Sequence, residues 1–175
     1  MKTSALTILL CATLGIVSAE ENAVLLTVTV VPYRSVGEPR AIPVAGEKPD
    51  AFYVILTNTS SHPVSLWETW CSWGYWMLAF ELTGPDGTVY SIVKTPTAMW
   101  TMNFPASYSI PPGEQQVIPV RLDKEWINRP NFPETHTPVT FKAVYEIHES
   151  KESKQHNVWS GRIESKAYSF TATRP

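Results

Sequence analysis

Residues 52–82 hold the densest run of large apolar side chains in this sequence. Four of the seven tryptophans fall within ten consecutive positions of it: Trp67, Trp70, Trp73 and Trp76. Aromatic side chains bury large apolar areas and dominate protein cores, so a domain that carries this many must fold around them. Apolar segments also open and close the stretch, at residues 52–56 and 77–82. We therefore expect residues 52–82 to organise the fold.

The first nineteen residues have the character of a secretory signal peptide. Lys2 precedes an apolar run, and Val17-Ser18-Ala19 meets the small-residue requirement of signal peptidase. The run is shorter than the roughly 20 apolar residues that a membrane-spanning helix needs. Bulky Leu9-Leu10 before Cys11 argue against a lipoprotein anchor. We predict a signal peptide over residues 1–19, one domain over residues 20–175, no membrane anchor, and export to the periplasm or the extracellular space.

Charge and cysteine content restrict the class of protein further. Lys and Arg number 14 against 16 Asp and Glu, a net charge of −2, which predicts no nucleic-acid partner because such binding requires a concentrated basic patch. Cleavage would leave Cys71 as the one cysteine, so an exported domain would have no internal disulfide. A lone cysteine in a secreted protein favours either a buried thiol or pairing between chains.

Period-two alternation of apolar and polar residues, typical of half-buried strands, recurs along the chain. It is clearest over residues 139–148, where one face carries Val139, Phe141, Ala143, Tyr145 and Ile147. Residues 84–87 and 111–114 have the glycine and proline of tight turns. Strands spaced by about 8–12 residues, without helical periodicity, predict an all-β fold, an antiparallel β-sandwich of about eight or nine strands.

Three smaller segments carry more local expectations. Residues 41–44 are a candidate short edge strand. Asp123 is a candidate N-cap for one helical turn through Trp126 and Ile127. The charged run 149–157 is predicted to be the flexible tip of a hairpin.

The clustered tryptophans admit two interpretations. In a strand, a spacing of three reverses the face at each step, so Trp67 and Trp73 would face one way and Trp70 and Trp76 the other, unless Gly74 introduces a bend. The rings are either core residues or an exposed platform for a protein or a carbohydrate. Met99 and Met102 would extend such a platform. The candidate ligand-binding residues are Trp67, Trp70, Trp73, Tyr75, Trp76 and Trp100.

The sequence contains no glycine-rich phosphate loop and no G-x-S-x-G nucleophile motif. Cys71 has no histidine placed in a catalytic motif, so we predict neither an enzyme nor a cofactor. The candidate metal ligands are Glu146, His148 and His156, since Glu146 and His148 share a strand face. A metal site needs three or four converging ligands, and the spacing does not establish convergence.

Several short motifs report strand ends and turns. They are Leu56-Thr57-Asn58-Thr59-Ser60, Pro111-Pro112-Gly113-Glu114, Phe141-Lys142-Ala143-Val144-Tyr145, and Val158-Trp159-Ser160-Gly161-Arg162-Ile163-Glu164-Ser165. This combination resembles exported bacterial immunoglobulin-like domains of uncharacterised function, which implies an immunoglobulin-like sandwich. The first two motifs are also similar to turns of the BsuPI-type proteinase inhibitors.

These observations together predict an exported, non-catalytic binding or interaction module whose contact surface is the tryptophan-rich segment. Two alternatives remain open at this point. The resemblance to BsuPI-type proteins implies a proteinase inhibitor that acts through its loops, and the candidate ligands of residues 146–156 imply a metal-binding protein. The sequence carries no signal for a particular oligomeric state.

Overall fold

The computed structural model describes residues 26–33, 40–44, 49–97, 99–100 and 102–173. The predicted signal peptide and the start of the first expected strand, at residues 23–25, lie outside these ranges. In the described part of the chain, no helix combines the length and the apolar character that a membrane crossing requires.

Strands dominate the described residues, which confirms the all-β class. In chain order they are β1 (Leu26–Val31), β2 (Ala41–Pro43), β3 (Phe52–Asn58), β4 (Val64–Trp67), β5 (Leu78–Thr83), β6 (Val89–Lys94), β7 (Ser107–Ile110), β8 (Gln115–Val120), β9 (Trp126–Ile127), β10 (His136–Ile147), β11 (Gly161–Glu164) and β12 (Tyr168–Thr173). The two helices are α1 (Ser72–Tyr75) and α2 (Lys151–Gln155). The described residues contain twelve strands instead of the eight or nine expected, and the two-residue strand β9 is too short to show alternation.

The strands form three sheets. The smaller main sheet has the order β1-β3-β8, and the larger one has the order β2-β12-β10-β5-β6-β9 with β11 also paired to β10. Strands β4 and β7 form a separate pair. Every strand pairing is antiparallel except that of β2 with β12, which is parallel. The short edge strand expected at residues 41–44 is therefore confirmed, and the described sheets are antiparallel as expected apart from this one pairing.

The two main sheets contact each other through aromatic rings. Phe52 of β3 meets Phe80 of β5 and Phe141 of β10, with ring centroids 5.3 and 5.7 Å apart. The predicted inward face of β10 is buried from Val139 to Ile147. Each of these phenylalanines removes roughly 150–250 Å² of surface from water, so this contact is a main source of stability.

Both predicted tight turns are confirmed. The hairpin at residues 84–87 joins β5 to β6, and Gly87 adopts a φ of 82° there. The turn at residues 111–114 joins β7 to β8, and Gly113 has a φ of 75°. Positive φ in this range favours glycine, which has no Cβ to clash.

Two local predictions are wrong. The Asp123 side chain accepts a hydrogen bond from the Glu125 amide, and its carbonyl accepts one from the Trp126 amide over 3.1 Å, but no helix follows, because Trp126 and Ile127 pair with the end of β6 as β9. The run 149–157 contains α2 rather than a flexible tip. Ser150 and Ser153 exchange side-chain and backbone hydrogen bonds in a capping box at the start of α2. A capping box usually carries Glu or Gln at the third position, so the serine there concealed the helix.

Candidate functional site

The tryptophan-rich segment is bent, not extended. Strand β4 ends at Trp67, and α1 follows after a short turn, with the amides of Gly74 and Tyr75 both donating to the Cys71 carbonyl over 3.0 Å. A Cβ atom at position 74 would lie 2.0 Å from the Glu68 carbonyl oxygen, so the turn requires glycine. The bend that Gly74 suggested is therefore present, and it distributes the four indoles among different surroundings.

Trp67 is a core residue. Its side chain is only 2% exposed, and its ring lies 6.1 Å from that of Trp73 and 5.4 Å from that of His156. Trp73 is partly buried and packs against the same core. The expectation that Trp67 and Trp73 lie on one side is met, although a helical turn rather than a strand brings them together.

The other two indoles are exposed. Trp70 is 50% exposed and packs edge-on against Phe104, at 5.3 Å between centroids. Trp76 is 44% exposed and contacts Tyr75 and Trp100, and its Nε1 donates to the Thr95 carbonyl over 3.2 Å. Each exposed indole therefore contacts an aromatic residue of the segment that joins β6 to β7.

Two connecting segments thus form one apolar surface. Met99, 92% exposed, Met102 and Phe104 project from the segment between β6 and β7. The Asn103 side chain exchanges two hydrogen bonds with Ser72 at the start of α1, of 3.0 and 2.7 Å, and so joins the segments. We name this surface the aromatic loop surface, and its exposed members are Trp70, Trp76, Met99, Met102 and Phe104.

Tyr75 and Trp100 lie beneath the aromatic loop surface and are partly buried. Their rings meet edge-on at 5.3 Å. Lys94 Nζ lies 4.9 Å from the centre of the Tyr75 ring and forms a 2.7 Å ion pair with Glu125. Burial and the nearby Glu125 carboxylate raise the pKa of Tyr75, so its phenol is neutral near pH 7.

A groove of about 330 Å³ lies next to this surface, on the outer face of the larger sheet. Its floor is Ala79 of β5 and Val144 of β10, whose side chains face away from the core. Trp67, Trp73 and Trp76 line one side, and Glu146, His148 and Arg162 line the other. We name this cavity the outer groove. It brings together candidate binding residues and candidate metal ligands that are about seventy positions apart in sequence.

Ion pairs hold the polar side of the outer groove in place. Arg162 Nη1 donates to Glu146 Oε2 over 2.8 Å, and Arg162 Nη2 donates to Glu164 Oε1 over 2.7 Å. Lys142 bridges Glu81 and Glu164 at 2.8 and 2.7 Å. Hydrogen bonds from Lys142 and then Arg162 lower the pKa of Glu164, and bonds to Glu164 and Glu146 raise the pKa of Arg162. Glu164 and Arg162 are therefore both charged at neutral pH.

The candidate metal ligands do not converge. Glu146 is bound to Arg162, the His148 ring nitrogen lies 3.5 Å from Glu146 on an exposed edge, and His156 packs on Trp67 instead of facing them. Within the described ranges, no group of three or more His, Cys, Asp or Glu side chains is placed to hold a metal ion. The segment between β10 and β11 contains the helix α2, so the metal-binding hairpin expected over residues 146–156 is not formed.

Cys71 is fully buried, and its Sγ donates to the Glu68 carbonyl over 3.1 Å. In this fold the thiol is not accessible to another chain. Of the two alternatives for this lone cysteine, the structure supports the buried thiol and contradicts pairing between chains.

A second cavity of about 350 Å³ lies between the main sheets, and sequence reasoning missed it. Tyr145, Trp126 and Met77 line its apolar part, and Lys94 and Glu125 lie at its polar part. The two charged groups pair with each other, and Lys94 also lies 4.6 Å from the centre of the Trp126 ring. The cation is therefore already engaged within the protein.

Sequence reasoning also missed Arg162. It stands on the short strand β11, and only pairing with β10 places it opposite Glu146. Comparisons of this chain with protein-family models, with curated proteins and with solved structures found no match.

Proposed function

We propose that this protein is an exported, non-catalytic binding module with an immunoglobulin-like β-sandwich fold, and that it docks a partner protein on the aromatic loop surface. One observation carries the proposal. Trp70 and Trp76 are both about half exposed, and each packs on an aromatic ring of the segment between β6 and β7, which also exposes Met99. Soluble proteins rarely expose contiguous apolar patches of this kind unless the patch binds something.

The composition of the aromatic loop surface favours a protein partner. Protein interfaces are enriched in aromatic residues and methionine and depleted of charged residues at their centre. The two exposed methionines are unbranched and adapt their shape to a partner. The aromatic rings of Trp70 and Phe104 already pack on each other, so less side-chain entropy is lost on binding.

The fold supports the same proposal. Phe52, Phe80 and Phe141 join two β-sheets face to face, which is the layer arrangement of a β-sandwich. In such folds the sheets form a rigid scaffold, and binding residues stand on the connecting segments. Both segments of the aromatic loop surface are of this kind, and Asn103 ties one to the other.

The test compares the purified mature domain with a Trp70→Ala/Phe104→Ala double variant as bait for proteins of the exported fraction. The double variant should bind the partner of the wild type with an affinity that is lower by about tenfold or more. Val117→Ala, an exposed apolar residue on β8, is the matched control and should retain the partner. The double variant should unfold within a few degrees of the wild type, because the ring contact that it loses contributes only about 0.5–1.5 kcal/mol, and Val117→Ala should behave similarly.

A second measurement locates the contact. Met99 and Met102 oxidise readily when exposed, so the partner should protect both from peroxide in the complex. Sedimentation of the free protein shows whether the partner is a second copy of the chain. A partner that binds wild type and double variant equally, without protecting the methionines, would contradict the proposal.

A further inference from the structure

We infer that the outer groove is a binding site for a neutral saccharide, in which a sugar ring stacks on the indoles and its hydroxyl groups bond to Glu146 and Arg162. This site is separate from the protein-docking surface proposed above and shares only Trp76 with it.

The aromatic wall is suited to the apolar face of a sugar. The C–H bonds on one face of a pyranose carry partial positive charge, and the face of an aromatic ring carries partial negative charge. Trp76 is half exposed along the groove, and its bond to Thr95 holds the indole in place. Trp73 packs on the buried Trp67. The wall is therefore formed before a ligand arrives, which lowers the entropy cost of stacking.

The opposite edge is suited to a pair of neighbouring hydroxyl groups. A hydroxyl both donates and accepts, so two adjacent hydroxyls match a carboxylate beside a guanidinium. The Glu146 carboxylate and the Arg162 guanidinium lie 2.8 Å apart and are held by Glu164 behind them. Each carboxylate oxygen can accept more than one hydrogen bond, so Glu146 can bind Arg162 and a hydroxyl together.

The charge of the groove favours a neutral ligand. An acidic sugar would meet Glu146, and a cationic ligand would meet Arg162, whereas a neutral polyol uses both groups as hydrogen-bond partners. Arg162 pairs with Glu81, Glu146 and Glu164, and Lys142 pairs with Glu81 and Glu164, so two cations face three carboxylates and the excess is a single negative charge. Charge complementarity therefore indicates an uncharged saccharide.

The size of the groove limits the ligand to a short unit. A volume of about 330 Å³ is near the lower end of the roughly 300–1,000 Å³ typical of small-ligand sites. The apolar floor of Ala79 and Val144 is narrow, and the groove opens to solvent beside His148. One or two sugar units of a longer glycan fit this description, with the rest of the chain outside.

Isothermal titration with cellotetraose, mannotetraose and tetra-N-acetylchitotetraose, each neutral, tests the inference on the mature domain. At least one should bind, and the same sugar should change tryptophan fluorescence. Trp76→Ala and Glu146→Ala should each weaken that binding by roughly tenfold or more. Trp70→Ala, an exposed indole outside the groove, should leave it unchanged. Arg162→Gln is a third substitution in the groove and should also weaken binding. Circular dichroism must show that all the variants are folded.

Several outcomes would overturn the inference. The inference fails if none of the three sugars binds at millimolar concentration. It also fails if Glu146→Ala and Arg162→Gln bind the sugar as tightly as the wild type does. Preference for tetragalacturonate over the neutral sugars would refute the charge argument, and a loss of binding on adding EDTA would indicate a metal site instead. The protein-docking proposal is tested by Trp70→Ala/Phe104→Ala, so each proposal can fail without the other.

Discussion

The indole rings of Trp67 and Trp73 lie 6.1 Å apart and both line the outer groove, yet Trp67 is buried in the core while Trp73 is only partly buried. Strand β4 delivers Trp67 to the interior, and the single turn of α1 then reverses the chain. The turn carries the later tryptophans out of the core toward solvent and the sheet face. One short segment therefore supplies core, groove and exposed surface.

Trp67→Ala should destabilise the protein far more than Trp70→Ala. Removing the buried ring of Trp67 leaves a cavity, so we expect a loss of about 3–5 kcal/mol in the free energy of unfolding. Trp70 contributes mainly its contact with Phe104, about 0.5–1.5 kcal/mol. Urea unfolding followed by circular dichroism measures the two losses in free energy of unfolding. Similar losses for the two variants would contradict the burial of Trp67 and the exposure of Trp70.

Gly74→Ala should disturb the tryptophan-rich segment. The new Cβ would collide with the Glu68 carbonyl, which is backbone and cannot rotate away, and crowding of this kind costs about 1–3 kcal/mol. Gly113→Ala is the matched control, since its new Cβ would meet open space. The only cost there is the strain of placing a side chain at a positive φ. Near-ultraviolet circular dichroism of the indoles should change for Gly74→Ala and stay constant for Gly113→Ala.

Asn58→Ala should be costly although Asn58 is polar. The buried amide donates to the carbonyls of His62 and Ile110 over 2.7 and 2.8 Å and accepts from Ser60. Each buried group left unpaired costs about 1–3 kcal/mol. The exposed Asn131→Ala should change the free energy of unfolding by less than about 0.5 kcal/mol. An equally small loss at Asn58 would contradict its structural role.

Acid should weaken the fold partly through Glu125 and Glu164. A hydrogen bond from Lys94 lowers the pKa of Glu125, and one from Lys142 lowers that of Glu164, below the ordinary 4.5. Because the folded state holds these protons less tightly, the stabilisation is present above pH 4.5 and disappears as the pH falls through the lowered values. The effect should be modest because both carboxylates are exposed.

Thermal unfolding between pH 7 and pH 3 measures this loss. Glu164→Gln should be less stable than the wild type at pH 7 and should lose less on acidification. Glu134→Gln, an exposed carboxylate for which no salt bridge is found among the described residues, is the control and should follow the wild-type curve. A Glu164→Gln curve parallel to that of the wild type would contradict the assigned ion pair with Lys142.

Cys71 should react with a thiol reagent only when the protein unfolds. Its sulfur is enclosed and donates to the Glu68 carbonyl. Labelling with 5,5′-dithiobis(2-nitrobenzoate) should be slow in buffer and fast in concentrated urea. Fast labelling of the native protein, or a disulfide-linked dimer on a non-reducing gel, would show that the thiol is accessible.

Local chemistry explains what the residue pattern predicted well. The alternation in β10, the turn glycines Gly87 and Gly113 and the short strand β2 follow from side-chain period and backbone preference over a few positions. The predictions for α2 and β9 were wrong for two different reasons, a local one for α2 and a distant pairing partner for β9. Serine replaces the usual Glu in the α2 capping box, and β9 exists only where Lys94 pairs with Trp126.

Taken alone, the residues established an all-β chain and the concentration of aromatic area in one segment, because hydrophobic period and turn preference act between near neighbours. Strand pairing decided which indoles are buried and which are exposed, and it placed Arg162 opposite Glu146 beside Trp76. The physical reason is that side chains from β5, β10 and β11 meet only after the backbone hydrogen bonds of the sheet set their register. No spacing along the chain encodes that meeting.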